Sequence, residues 1–272
     1  MTWAVFRERG AQVKIGSFLP QSTLSSSCEG PVGITVQVLL GLIVIFLGFL
    51  IARLWAVSSR GLRYWMPAWK FWWPFLSGDL KIVMSKFNEF NDWEASGLVG
   101  VGGMQAAIET VKLFDDLGLR RIGRKMDIVY HDQADGNLYE SNIVCIGGPD
   151  ANSVTKLILT KVDHTFSPGD PERNEVSFLD TKTGKTYDPE PGFDHGLIIK
   201  TRSPFNERRQ MLVLIGNFGY GVWAAARLMS SKQFLHHKCV RGGRSFECVL
   251  RAKVIKGVPW ELEIIDAREL ST

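Results

Sequence analysis

Cysteine is scarce in this sequence, and no two cysteines are spaced as a motif. Four cysteines occur in 272 residues, and none of them forms a CxxC pair. Cys145 lies inside an apolar run, where a free cysteine usually acts as a small buried hydrophobe. This usage fits a reducing compartment better than a secreted disulfide scaffold. His236, His237 and Cys239 lack further ligand partners in the sequence, so we predict no metal site.

The common catalytic signatures are missing as well. The absence of GxxxxGK[ST] argues against P-loop NTP hydrolysis, and the absence of an exact GxGxxG followed by an acidic residue argues against an ordinary NAD dehydrogenase. There is no GxSxG and no HExxH. The net charge is only +4, and the basic residues are interleaved with acids. We therefore predict no nucleic-acid partner.

Charged residues are also absent from residues 33–52, which read GITVQVLLGLIVIFLGFLIA. A helix needs about 20 apolar residues to cross the hydrocarbon core of a bilayer. A secretory signal has a shorter apolar core that lies nearer the start of the chain, and a buried helix is the other alternative. The run predicts a transmembrane helix over residues 33–55, preceded by an N-terminal segment, residues 1–32. The chain is then a single-pass membrane protein with the lipid bilayer as a partner.

Acidic residues are missing from the next stretch too, until Asp79. Residues 56–78 are instead basic and rich in tryptophan, including Trp65, Trp69, Trp72 and Trp73. Indole rings prefer the headgroup zone of a membrane, so this stretch predicts an interfacial linker. The alternative is that these aromatic side chains cap the core of the domain that follows. Cysteine usage and the type of that domain favour a cytoplasmic C-terminus.

Residues 79–272 alternate between apolar runs and helical patterns. Strands are predicted at 80–85, 127–131, 143–146, 196–201 and 211–215, and helices at 104–117, 153–162 and 222–229. A hairpin is predicted over 176–187, and a C-terminal strand pair at 246–254 and 260–265. This order predicts a three-layer α/β domain with a mostly parallel sheet and helices on both faces. The hairpin and the C-terminal pair would add antiparallel edges.

Three of these strands lead into a glycine-rich loop and then a helix, at residues 97–103, 147–152 and 216–221. The carboxyl ends of parallel strands meet at one edge of a sheet, so the loops should line a common crevice. Glycine lets the backbone approach a ligand, and a helix N-terminus offers free N–H groups to an anion. Asp150 and Asn152 are expected either to cap the second helix or to bond a ribose hydroxyl. The predicted ligand-binding residues are Gly100, Gly102, Gly103, Gly147, Gly148, Asp150, Asn152, Asn217, Gly219, Tyr220 and Gly221.

The layout of SGLVGVGG, IGGPDAN and IGNFGYGVWAAAR resembles Rossmann-like nucleotide-sensing domains of the SLOG type (DprA/LOG-like) and nucleoside deoxyribosyltransferase-like domains. The resemblance covers residues 79–230 and implies a nucleotide-like ligand, with no cofactor identified. It is compatible with a receptor that acts through homo-oligomerisation of its membrane helix. It is also compatible with an enzyme acting on an N-glycosidic bond, with Glu109, Asp150 or Asp194 as candidate carboxylates. A structural subunit of a membrane complex is the third alternative.

Overall fold

The computed structural model describes residues 39–52, 71–87, 92, 94, 97–169 and 176–270. The chain divides into two units, Met1–Leu54 and Trp55–Thr272. The predicted N-terminal segment, residues 1–32, and most of the predicted linker lie outside the described residues.

The prediction of a transmembrane helix is overturned. Of the apolar run, the structure describes residues 39–52, which are helical. Among the described residues, no helix combines the length and the apolar character that crossing a membrane requires. The predictions of a single-pass membrane protein and of a cytoplasmic C-terminus are corrected accordingly.

The second unit is an α/β domain. Its strands are β1 (Leu80–Met84), β2 (Met126–Tyr130), β3 (Asn142–Ile146), β4 (Phe166–Pro168), β5 (Phe178–Asp180), β6 (Thr186–Tyr187), β7 (Phe193–Arg202), β8 (Gln210–Gly216), β9 (Phe246–Ile255) and β10 (Val258–Glu269). Its helices are α1 (Val101–Asp116), α2 (Ser153–Leu159), α3 (Gly219–Leu228), α4 (Lys232–His236) and α5 (Lys238–Arg241). Residues 71–76 are also helical, and short 3-10 turns follow α1 and β2.

Within the described residues, seven strands form one mixed sheet in the order β10-β9-β7-β8-β3-β1-β2. Strands β2, β1, β3 and β8 are parallel, whereas β7, β9 and β10 pair antiparallel with their neighbours. The sheet is therefore half antiparallel rather than mostly parallel. The predicted hairpin is not an edge of this sheet, because β5 and β6 join β4 in a separate three-stranded sheet.

Both faces of the central strands of the large sheet are buried, and side chains alternate between two cores as the two-residue period of a strand requires. In β8, Leu212 and Leu214 face a core that includes Ala106 of α1 and Ala224 of α3. Met211, Val213 and Ile215 face a second core, formed with residues of α2 and of the small sheet. Helices thus cover both faces, as predicted, and the small sheet completes one of the outer layers.

The aromatic residues of the predicted linker that the structure describes belong mostly to the domain core. Phe71, Trp72 and Phe75 are essentially inaccessible to solvent. The Trp72 and Phe114 rings meet edge to face, with centroids 5.6 Å apart. The composition of this segment resembles that of a membrane interface because large aromatic side chains are common both at membrane interfaces and in protein cores. The interfacial interpretation is therefore wrong for these three residues, and the alternative that they cap the domain core is the correct one.

Candidate functional site

The three glycine-rich junctions lie at one edge of the sheet. The registers of β1 with β3 and of β3 with β8 bring Met84, Ile146 and Leu214 side by side. The first junction reaches this edge because α1 packs against α3, where Gly102 lies against Gly219. The common crevice expected from the sequence therefore has a geometric basis, since parallel strands present their carboxyl ends together.

At the third junction, the chain supplies its own anion to the helix N-terminus. The Asp194 carboxylate accepts hydrogen bonds from His195 N at 2.8 Å, Phe218 N at 3.3 Å and Gly221 N at 2.6 Å. Burial raises the pKa of Asp194 to about 6, and the three backbone N–H donors lower it in part. Two of the N–H groups at the start of α3, those of Phe218 and Gly221, are thus already engaged and do not bind an external anion.

At the second junction, Asn152 is a helix cap. Its Oδ1 accepts from Val154 N and Thr155 N at 3.1 and 3.2 Å. Its Nδ2 donates to Val83 O and Ile146 O, and the residue is fully buried. Every polar group of this side chain is satisfied inside the protein, so of the two roles expected for Asn152 the structure shows the cap.

Several of the predicted glycines are required by close packing of the backbone. A Cβ on Gly102 would lie 2.5 Å from the Cα of Gly219, and a Cβ on Gly221 would lie 2.8 Å from the carbonyl carbon of His195. Gly147 has φ +107°, in the region that favours glycine. By contrast, a Cβ on Gly100 or Gly103 would make only ordinary contacts.

A cavity of about 240 Å³ remains beside the carboxyl ends of β3 and β8. Gly148, Pro149 and Asp150 form one wall, and Gly216, Asn217 and Phe218 form another. The third wall belongs to the small sheet, whose strands β4 and β5 are joined there by Gly169 N donating to Ser177 O at 2.7 Å. The residues that line the cavity are Gly148, Pro149, Asp150, Pro168, Gly169, Val176, Ser177, Phe178, Ile215, Gly216, Asn217 and Phe218.

Asn217, one of the residues that line this cavity, carries an unused acceptor. Its backbone N–H donates to His195 O at 3.0 Å, and its Nδ2 donates to Tyr187 O at 2.9 Å, which fixes the carboxamide. Its Oδ1 is buried, and within the described part of the chain it has no hydrogen-bond partner. A buried acceptor without a donor destabilises a protein by about 1–3 kcal/mol.

The described lining of the cavity carries a negative charge. Asp150 is its one charged lining residue, and no lysine, arginine or histidine lines it within the described residues. Tyr220 lies apart from it, beside a shallow apolar depression that includes Phe193 and Phe218. Such a lining favours neutral or cationic groups over phosphate.

The carboxylates proposed for an enzyme do not converge. Glu109 is the ninth residue of α1, about 12 Å along the helix from its N-terminus. Asp194 is engaged by backbone N–H groups, which leaves Asp150 as the single carboxylate of the described cavity lining. The described residues also contain no cluster of side chains that could hold a metal ion.

The wall formed by the small sheet was missed by sequence reasoning. The hairpin over 176–187 was predicted, but nothing in its sequence shows that Ser177 and Phe178 line the crevice at the end of β8. The turn residues around it are the only sequence signal, and they specify a local conformation rather than a position.

Comparison with known proteins finds no family model that matches this chain and no curated protein that matches it. The resemblance to SLOG-type and nucleoside deoxyribosyltransferase-like domains, the nucleotide-like ligand and the homo-oligomer therefore stay predictions.

Proposed function

We propose that the α/β domain is a binding module for a small, neutral or cationic molecule with N–H donors, such as a nucleobase or nucleoside. The ligand would lie in the cavity between the carboxyl ends of β3 and β8. The observation that carries this proposal is that Asn217, whose buried Oδ1 has no partner among the described residues, lines a cavity in which Asp150 is the one charged residue of the described lining.

Two further features support a base rather than a phosphate as the recognised group. At the start of α3, Asp194 occupies the backbone N–H groups of Phe218 and Gly221, and the Asn152 side chain occupies two N–H groups at the start of α2. The cavity is also smaller than the about 300–1,000 Å³ that is typical for drug-sized ligands. A planar ring with N–H donors suits a lining that offers acceptors, and the exposed ring of Phe218 supplies aromatic surface at the same cavity.

The test is a thermal-shift and calorimetric screen of nucleobases, nucleosides and the matching monophosphates against the full chain. We expect a base or nucleoside to raise the melting temperature, and its monophosphate to bind no more tightly. Asn217→Ala and Asp150→Ala should each weaken binding by about tenfold, which corresponds to one hydrogen bond of about 1.4 kcal/mol.

Asp116→Ala is the matched control, because Asp116 is an exposed carboxylate at the far end of α1. It should leave binding unchanged. If no base or nucleoside protects the wild type, or if protection survives both cavity changes, this assignment of the cavity is incorrect. Chromatography of the recovered ligand tests for turnover, since a binding module returns it intact.

A further inference from the structure

A serine and a histidine are hydrogen-bonded at the same edge of the sheet, outside the cavity. His131 follows β2 directly, and Ser153 is the first residue of α2, after β3. His131 Nδ1 and Ser153 Oγ are 3.0 Å apart although 22 residues separate them in the chain. The fold joins them because β2 and β3 both run parallel to β1 and end at one edge.

The geometry defines which ring nitrogen of His131 carries the proton. Nε2 lies 3.0 Å from Lys86 O, and a carbonyl oxygen can only accept. Nε2 is therefore the N–H donor of the neutral ring, which leaves Nδ1 with its lone pair towards Ser153. The Ser153 hydroxyl then donates to Nδ1. His131 O, at 3.5 Å, is the more distant acceptor available to it.

The carbonyl that orients the histidine is itself held in place. Lys86 Nζ bonds Asp132 Oδ2 at 2.8 Å, and this pair joins the end of β1 to the turn that carries His131. The Lys86 ammonium lowers the pKa of Asp132, which keeps that carboxyl ionised. The next residue, Phe87, is bridged to Leu98 by backbone hydrogen bonds. Nucleophile, base and orienting group thus form a connected series of the kind used in covalent catalysis.

We propose that Ser153 is a nucleophile, with His131 as its general base, that accepts acyl groups from carboxylic esters. Ser153 Oγ attacks the ester carbonyl carbon while its proton passes to His131 Nδ1. The bond to the leaving oxygen then breaks, and that oxygen takes the proton as the alcohol departs. Water attacks the acyl-serine with His131 again taking the proton, which releases the carboxylic acid and restores Ser153.

The site suits an ester on a flexible or extended molecule, because Ser153 is exposed and no lining residue of the cavity belongs to the pair. A merely structural hydrogen bond would hold the turn against α2 but would not raise the reactivity of Ser153.

Ser230 is the internal control. It is also exposed, but its Oγ donates to Arg227 O at 2.9 Å and has no histidine partner in the described structure.

The experiment exposes the full chain to p-nitrophenyl acetate. Release of p-nitrophenolate is followed by absorbance, and the acetylated residues are identified by peptide mass spectrometry. We expect Ser153 to be acetylated about 100-fold faster than Ser230, the lower end of what a positioned base contributes. His131→Gln should remove that advantage. Equal labelling of the two serines, or labelling of Ser153 that persists in His131→Gln, overturns the proposal.

A second comparison stays informative if His131→Gln folds poorly. Ser153→Cys places a thiol against His131, and Ser230→Cys places one with no histidine. A thiol beside a histidine has more thiolate, so iodoacetamide should alkylate Ser153→Cys about tenfold faster than Ser230→Cys. The described native cysteines, Cys145, Cys239 and Cys248, are buried and give a low background. Equal alkylation rates overturn the proposal as well.

Discussion

Replacing Gly102 by alanine tests whether the glycines of the first junction serve packing. The new Cβ would lie 2.5 Å from the Cα of Gly219 and nearer still to its carbonyl group. Because backbone atoms cannot rotate away, α1 and α3 must separate. Overpacking of this kind costs about 1–3 kcal/mol. Alanine recovers at most about 1 kcal/mol of helix propensity, so we expect a net loss of about 1–2 kcal/mol in the free energy of unfolding.

Gly103→Ala is the matched control, one residue along the same helix. Its Cβ would lie 3.7 Å from Ser85 Oγ and 4.0 Å from Ile146 Cγ2, which are ordinary contacts. This variant should be unchanged or more stable by up to about 1 kcal/mol. Urea unfolding of both variants and the wild type measures the difference, and the melting temperatures should differ by about 2–4 °C per kcal/mol. Equal stabilities for the two variants would refute the packing argument.

Three further changes test other parts of the structure. Arg268→Ala should cost about 3–5 kcal/mol in urea unfolding because it leaves the buried Asp180 unpaired, and adding Asp180→Ala should restore part of that loss. Asn152→Ala should cost about 2–4 kcal/mol by the same assay, whereas the exposed Asn137→Ala should change stability by less than about 0.5 kcal/mol. Because burial raises the pKa of Asp194 to about 6 from an ordinary 3.8, its contribution to stability is present below pH 4 and is lost as the pH rises through 6. Wild type should therefore lose stability over that range relative to Asp194→Asn, and parallel pH profiles would contradict this.

The central strands were predictable from the sequence because a strand buried on both faces is a short apolar run. This holds for β1, β3 and β8, whose side chains are almost all buried. The antiparallel direction of β7 relative to β8 could also be predicted from the sequence. Only residues 203–209 separate β7 from β8, and so short a link permits an antiparallel pair but not a parallel crossover. The small sheet was harder to predict from the sequence, since β4 has only three residues.

The candidate site was harder to predict because glycine in a loop looks the same whether it faces a ligand or a neighbouring backbone. Which of the two a glycine faces depends on the strand register, such as the one that places Gly196 opposite Gly216. Register is a property of the folded sheet. The position of Asp194, 27 residues before Gly221, depends on the same pairing. The local sequence therefore predicted which edge of the sheet holds the loops. Long-range strand pairing determines which polar groups at that edge stay free to bind a ligand.

The alternation along β8 separates the domain into two compartments that share one strand. Leu212 and Leu214 belong to one compartment, while Met211, Val213 and Ile215 belong to the other. Side chains on opposite faces of a strand do not touch, so changes in one compartment reach the other only through the backbone. The layer that holds α1 and α3 can therefore be redesigned for stability while the layer beside the cavity is left as it stands. An engineer can treat the sheet as a partition between scaffold and site.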